Sequence, residues 1–138
     1  MTVPPIVRAA LVAAAVAAAI VLVAWQRSED RCTEAVKATL FALEDRVRGP
    51  QLHATIAGVE TDCPGSSRLV DVGGVLFSEG HPRLATDVLR EAVDREPDSF
   101  SAWAVLASVL AGADPAGSSG AAARAKSLNP FYRPPSSD

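Results

Sequence analysis

From Ser66 to Pro97 the chain reads SSRLVDVGGVLFSEGHPRLATDVLREAVDREP, and two helices joined by a turn account for all of it. Apolar residues recur at steps of three and four: Leu69, Val72 and Leu76, then Leu84, Val88, Leu89 and Ala92. That is the period of a helix with one buried face. Gly80 stops the first helix, Pro82 opens the second at a tolerated first-turn position, and Pro97 closes it. The same grammar continues on both sides. Downstream, Asp98-Ser99 supplies caps for a helix carrying Trp103, Leu106 and Leu110. Asp114-Pro115 signals a sixth helix ending near Leu128-Asn129-Pro130. Gly117-Ser118-Ser119-Gly120 disfavours its first two turns, which moves its expected start toward Ala121. Upstream, Val36, Leu40, Leu43 and Val47 mark a helix over Cys32–Arg48 that Gly49-Pro50 ends. Leu52, Ile56 and Val59 mark the next, which ends by Cys63-Pro64-Gly65. No stretch after Gln26 alternates as a strand would. The expected class is all-α.

The N-terminal segment differs in kind. Ile6 to Trp25 holds 19 apolar residues and one charge, Arg8. As a helix these 20 residues span about 30 Å, one hydrocarbon core. Arg8 sits near the start, where a long side chain snorkels to the headgroups, and Trp25 closes the other end, where an indole favours the interface. A single-pass membrane helix over 6–25 is the expectation. Two readings compete with it. One is a cleaved signal peptide cut near Ala17-Ala18-Ala19, although Ile20-Val21-Leu22-Val23 continues the apolar run past that point. The other is a buried core helix, which the small remaining domain could not enclose. Residues 25–31 contain no Gly or Pro, so the membrane helix is expected to run on, straight or kinked, into the first soluble helix. Arg27, Arg31 and Lys37 after the segment slightly favour a cytoplasmic C-terminal domain by the Lys and Arg count.

Alanine fills 26 of the 138 positions, and arginine outnumbers lysine 11 to 2, the mark of a GC-rich bacterial coding sequence. From Gln26 onward 12 basic residues face 16 acidic ones. That excess of acid argues against a nucleic-acid partner, which needs a basic face to neutralise phosphates.

The helix starts near residues 32, 66 and 100 imply a repeat of about 34 residues. Over Ser66–Pro97, Leu69, Val72-Gly73, Leu76, Gly80, Ala85, Leu89, Ala92 and Pro97 stand where a tetratricopeptide repeat carries its signature. Trp103, Leu106-Ala107, Leu110, Ala125 and Pro130 follow in the next unit. The chain therefore resembles the tetratricopeptide repeat family over residues 66–130, and only in hairpin length over Arg31–Pro64. The resemblance implies about three antiparallel helical hairpins stacked as a superhelix, since one hairpin cannot bury its own apolar face. The expected organisation is a tail over 1–5, the membrane helix over 6–25, a first hairpin and degenerate repeat over 26–64, repeats over 65–130, and a disordered tail over 131–138.

The family's register implies a concave groove lined by the first helix of each hairpin. Its candidate residues here are Ser67, Val70, Asp71, Gly74 and Phe77, followed by Ser101, Ala104, Val105 and Ser108. They are small and mostly uncharged, and Phe77 is the one large anchor. Basic and amide residues with which some relatives clamp a peptide carboxylate are absent from these positions. An apolar peptide segment or helix with small side chains is the expected partner.

Cys32 begins the first soluble helix and Cys63 follows the second, so an antiparallel hairpin brings them together. A disulfide is expected there, which places the soluble domain in an oxidising, extracytoplasmic compartment. Two reduced, buried thiols are the competing reading. Neither His53 nor His81 has a ligand partner at a metal spacing, so no metal and no cofactor is expected. No phosphate loop or nucleophile motif occurs, and the acids Glu44, Asp45, Glu91 and Asp94 lie beside Arg46, Arg48, Arg90 and Arg95 as solvated helix faces do. The expected function is non-catalytic: a membrane-anchored adaptor for a protein, with no small-molecule substrate. The alternative is an accessory subunit of a membrane complex in cell-envelope glycan assembly, secretion or cytochrome maturation.

Overall fold

The computed structural model describes residues 5–134, without the side chains of residues 5, 6, 8 and 9. The expected positions of Arg8 and of residues 1–4 and 135–138 lie outside that description. The described chain is all helical: α1 Pro5–Glu44, α2 Pro50–Asp62, α3 Ser66–Ser78, α4 Pro82–Arg95, α5 Phe100–Leu110 and α6 Pro115–Leu128.

The apolar N-terminal run and the first soluble helix are one element. α1 holds 40 residues, about 60 Å at helical rise. Nothing between Trp25 and Arg31 breaks its hydrogen-bond ladder. Its N-terminal part stands clear of the domain: Leu11, Val12, Val16, Ile20, Val21, Leu22, Val23 and Trp25 are all exposed. α1 is long and apolar enough to cross a membrane, and none of its most apolar window is buried. That exposure removes the buried-core reading of residues 6–25.

The helices pair in sequence: α1 with α2, α3 with α4, α5 with α6. The pairs also lean on one another, because α3 touches α1, α2 and α5, and α4 touches α2 and α5. α3 and α4 are thus central, and the core runs through them. Leu69, Val72, Leu76, Leu89 and Val88 are almost wholly buried with Ala85 and Ala92. Small residues set the approach at each contact. A Cβ on Gly73 would come within 2.7 Å of Leu89 Cγ, so α3 reaches α4 only because residue 73 has no side chain.

Two turns close their helices by the same device. At α1, Arg46 N–H donates to Leu43 O (3.0 Å) and Val47 N–H to Ala42 O (2.8 Å). At α3, Gly80 N–H donates to Phe77 O (3.1 Å) and His81 N–H to Leu76 O (2.8 Å). Both are paired-bond helix stops around a left-handed residue. Gly80 has φ 81°, as expected of glycine, but the first turn puts Arg46 at φ 56°. That is why α1 stops at Glu44 and not at Arg48 beside Gly49-Pro50.

Three further expectations change. Leu40 is 40% exposed, and the buried face of α1 is carried instead by Cys32, Thr39, Ala42 and Leu43. α6 begins at Pro115, not Ala121. Asp114 Oδ1 accepts from Gly117 N–H (2.9 Å) and Ser118 Oγ donates to Ala107 O (2.8 Å), and these bonds outweigh the weak propensity of Gly117 and Gly120. The tail folds back at its start: Tyr132 N–H donates to Asn129 O (3.0 Å), and the Tyr132 ring meets Phe100 edge-on at 5.5 Å. Burial raises the Tyr132 phenol above its ordinary pKa, and its hydroxyl has no hydrogen-bond partner.

Candidate protein-binding groove

The first hairpin, α1 with α2, carries a covalent tie. Cys32 and Cys63 are joined by a disulfide, with Cα atoms 4.6 Å apart. The two sulfurs link α1 to the end of α2 across 31 positions of sequence. Close packing accompanies it: a Cβ on Gly58 would sit 3.7 Å from Ala35 Cβ, an ordinary contact between the two helices.

Two side chains at the end of α4 then make long-range ties, Arg95 to the first hairpin and Glu96 to the start of α3. Arg95 donates through Nη1 to Cys63 O (2.6 Å), through Nη2 to Glu60 O, and through Nε to Glu91 Oε1 (2.7 Å). It is not a solvated residue: its side chain is 24% exposed and satisfies carbonyls at the end of α2, where a cation is favoured. Glu96 works at the opposite pole. Its Oε1 accepts from Ser66 N–H (2.9 Å) and its Oε2 from Ser66 Oγ (2.7 Å), which caps α3 from the residue that follows α4. Arg124 on α6 does the same service for the loop before α5, donating to Asp98 Oδ1 (2.8 Å) and Pro97 O (3.2 Å). These long-range ties leave no periodic trace.

The two bonds from Ser66 lower the Glu96 pKa below the ordinary carboxylate value, against a smaller opposing effect of desolvation. A depressed native pKa adds stability above the unfolded value near pH 4.3, and that stability is lost as pH falls through the native value. Glu60 has the opposite sign. Desolvation raises its pKa first, then the nearby charge of Glu91, with Arg95 opposing. Its contribution is full below the unfolded pKa and lost as pH rises through the raised one. Replacing Glu96 with Gln is expected to cost about 1 kcal/mol at pH 7, at the low end for a charge-assisted pair because Glu96 is solvent-exposed. Urea titration of the full chain in mild detergent should show that difference at pH 7 and almost none at pH 3. An equal difference at both pH values would mean that Glu96 acts by shape and not by charge.

With the hairpins fixed, the groove residues fall into three groups. Ser67, Asp71, Phe77, Ser101 and Ser108 are exposed. Gly74, Ala104 and Val105 are half-buried, and Val105 also touches the core. Val70 departs from the expectation. It is only 9% exposed and belongs to the core, because α3 is central and is covered on two sides. Phe77 stands 44% exposed on the last turn of α3. Ser108 Oγ is turned back to Ala104 O (3.1 Å), so it offers little to a ligand. The positions left are uncharged except for Asp71, which pairs with Arg68 at 3.9 Å, and Phe77 bounds them at the end of α3. Among the described residues, no three His, Cys, Asp or Glu side chains gather as a metal site requires.

Compared with protein-family models, with curated proteins and with solved structures, the chain matches none of them. Function must therefore be argued from the geometry.

Proposed function

We propose that the chain is a non-catalytic, membrane-anchored adaptor of tetratricopeptide type, binding a protein segment across α3 and α5. The observation that carries this reading is that α3 lies against α5 as well as its own partner α4, so that first helices of successive hairpins adjoin. Such stacking creates a continuous face in place of isolated helix surfaces. Ser67, Asp71, Gly74, Phe77, Ser101, Ala104 and Val105 supply that face, and Phe77 is its large exposed side chain. The ligand that fits is an apolar strand or helix with small side chains, anchored beside Phe77. The apolar half of α1 holds the domain at a membrane, and the disulfide favours its extracytoplasmic side. Tethering raises the local concentration of a bound protein, so modest groove affinity suffices.

A second reading rests on α1 itself. Among the described residues its apolar half is rich in Ala and Val that the rest of the chain leaves uncovered, a surface suited to close helix packing inside a bilayer. In that reading the chain is an accessory subunit of a membrane complex.

Crosslinking in mild detergent, followed by mass spectrometry of the captured proteins, separates the two. For the adaptor, Phe77→Ala is expected to lower capture of the partner at least tenfold, as removal of a large aromatic anchor does. Exchange of residues 6–25 for an unrelated span should leave capture intact. Capture that survives Phe77→Ala and vanishes on exchange of the span would overturn the adaptor in favour of the subunit.

A further inference from the structure

A notch of about 460 Å³ opens where α1 leaves its apolar run, between that helix and the α2–α3 connection. Arg27, Ser28 and Arg31 line one wall, and Thr61, Asp62 and Pro64 the other. Arg27 and Arg31 stand one helical turn apart, on the same side of α1. Neither arginine, nor Asp62, forms an ion pair among the described residues. Ser28 and Thr61 are committed elsewhere, donating to Trp25 O (2.7 Å) and Ala57 O (2.8 Å). The free chemistry of the notch is therefore two cations facing one carboxylate. That carboxylate ends α2, where the helix dipole adds negative potential.

The height of the notch is set by the same helix. Arg27 lies two residues beyond Trp25 and Arg31 six, about 3 Å and 9 Å along the axis. The polar layer of a bilayer is about 5–8 Å thick on each side. With Trp25 at the interface, Arg27 lies inside that layer and Arg31 at its outer edge, so the notch opens toward the headgroups.

We propose that the notch holds the headgroup of a zwitterionic phospholipid with a primary ammonium, its phosphate on Arg27 and Arg31 and its ammonium on Asp62. This rests on the reading of α1 as a membrane span. Paired guanidinium groups match phosphate oxygens through parallel N–H donors. A primary ammonium offers Asp62 hydrogen bonds that a trimethylammonium headgroup lacks. An anionic glycerol headgroup leaves the carboxylate without a counter-charge. The proposal also accounts for a conflict in the sequence. Arg27 and Arg31 follow the span, whereas basic residues favour the cytoplasmic side and the disulfide favours the other. A lipid phosphate on the disulfide's side gives those two charges a partner.

The test uses the full chain in vesicles of phosphatidylcholine, phosphatidylethanolamine and phosphatidylglycerol in equal parts. After flotation, the protein is extracted in mild detergent and its retained lipids are counted by native mass spectrometry. Phosphatidylethanolamine is expected to dominate, and Arg27→Gln and Arg31→Gln each to lower its retention about fivefold. Asp62→Asn is expected to remove its advantage over phosphatidylglycerol while phosphate binding persists. All three positions lie outside the core, so unchanged urea midpoints confirm that the variants fold. Equal retention of the three lipids, preference for phosphatidylglycerol, or retention indifferent to both arginines would overturn the site. So would binding of soluble glycerophosphoethanolamine as tight as that of the lipid. A chain that fails to float overturns the span and the site together, whereas one that floats without preference overturns the site alone.

Discussion

Replacing Cys32 and Cys63 together with alanine is expected to lower the unfolding free energy by about 3–4 kcal/mol. The bond closes a loop across 31 positions, and the chain-entropy model assigns that cost to the wider unfolded ensemble. Alanine is the right replacement because the two residues are 4% and 1% exposed, and serine would bury a hydroxyl without a partner. The loss should fall mainly on the first hairpin. α1 and α2 share a thinner core than α3 and α4, made chiefly of Leu43, Leu52, Ile56 and Val59 around the close approach at Gly58. Arg95 alone then holds the end of α2 from the neighbouring pair. The urea midpoint of the full chain in mild detergent should fall by roughly 1.5–3 M. Dithiothreitol should reproduce the fall in the wild type and leave the double variant unmoved. Coincident midpoints for the oxidised wild type and the variant would mean that the hairpin holds without its bond.

Much of this architecture was legible in the sequence because it depends on local signals. The six helices follow from apolar period and from Gly and Pro punctuation, and the turn at Gly80 needs a left-handed residue that glycine supplies. The cysteine pairing was legible from topology, since a hairpin brings its two open ends together. The failures share a physical cause: they depend on neighbours distant in sequence. Leu40 keeps the right period yet faces outward, because α1 is covered only by α2 and the edge of α3. Val70 is drawn into the core because α3 has neighbours on two sides. Arg95 reads as part of the solvated face of α4 and Glu96 carries no signal at all, but each reaches across about thirty positions to satisfy a helix end. Arg46 takes a left-handed conformation with no glycine to announce it. The candidate groove positions come from the repeat register alone, and Phe77→Ala is their test.

The interface of α3 with α4 is where a single methyl group should matter most. Leu89→Ala is expected to cost about 3–4 kcal/mol, since Leu89 is fully buried and its removal leaves a cavity between two central helices. Gly73→Ala is expected to cost about 1–3 kcal/mol by overpacking. The new Cβ would lie 2.7 Å from Leu89 Cγ and 3.0 Å from Cδ2, and a side chain at 0% exposure has no free rotamer to retreat into. Helix propensity opposes this, because alanine gains about 0.5–1 kcal/mol over glycine inside a helix. Gly74 isolates that gain. Nothing lies within 4 Å of a Cβ there, so Gly74→Ala should stabilise the chain by about 0.5–1 kcal/mol. The two glycines are neighbours in sequence and differ only in what stands opposite them. The decisive measurement is the double variant. With Leu89 truncated, the methyl of Gly73→Ala enters the vacated space, so the pair should cost less than the sum of its parts by about 1–2 kcal/mol. A strictly additive pair would mean that α3 and α4 shift apart to accept the methyl. Glycine at residue 73 would then reflect backbone freedom and not the close approach of the helices.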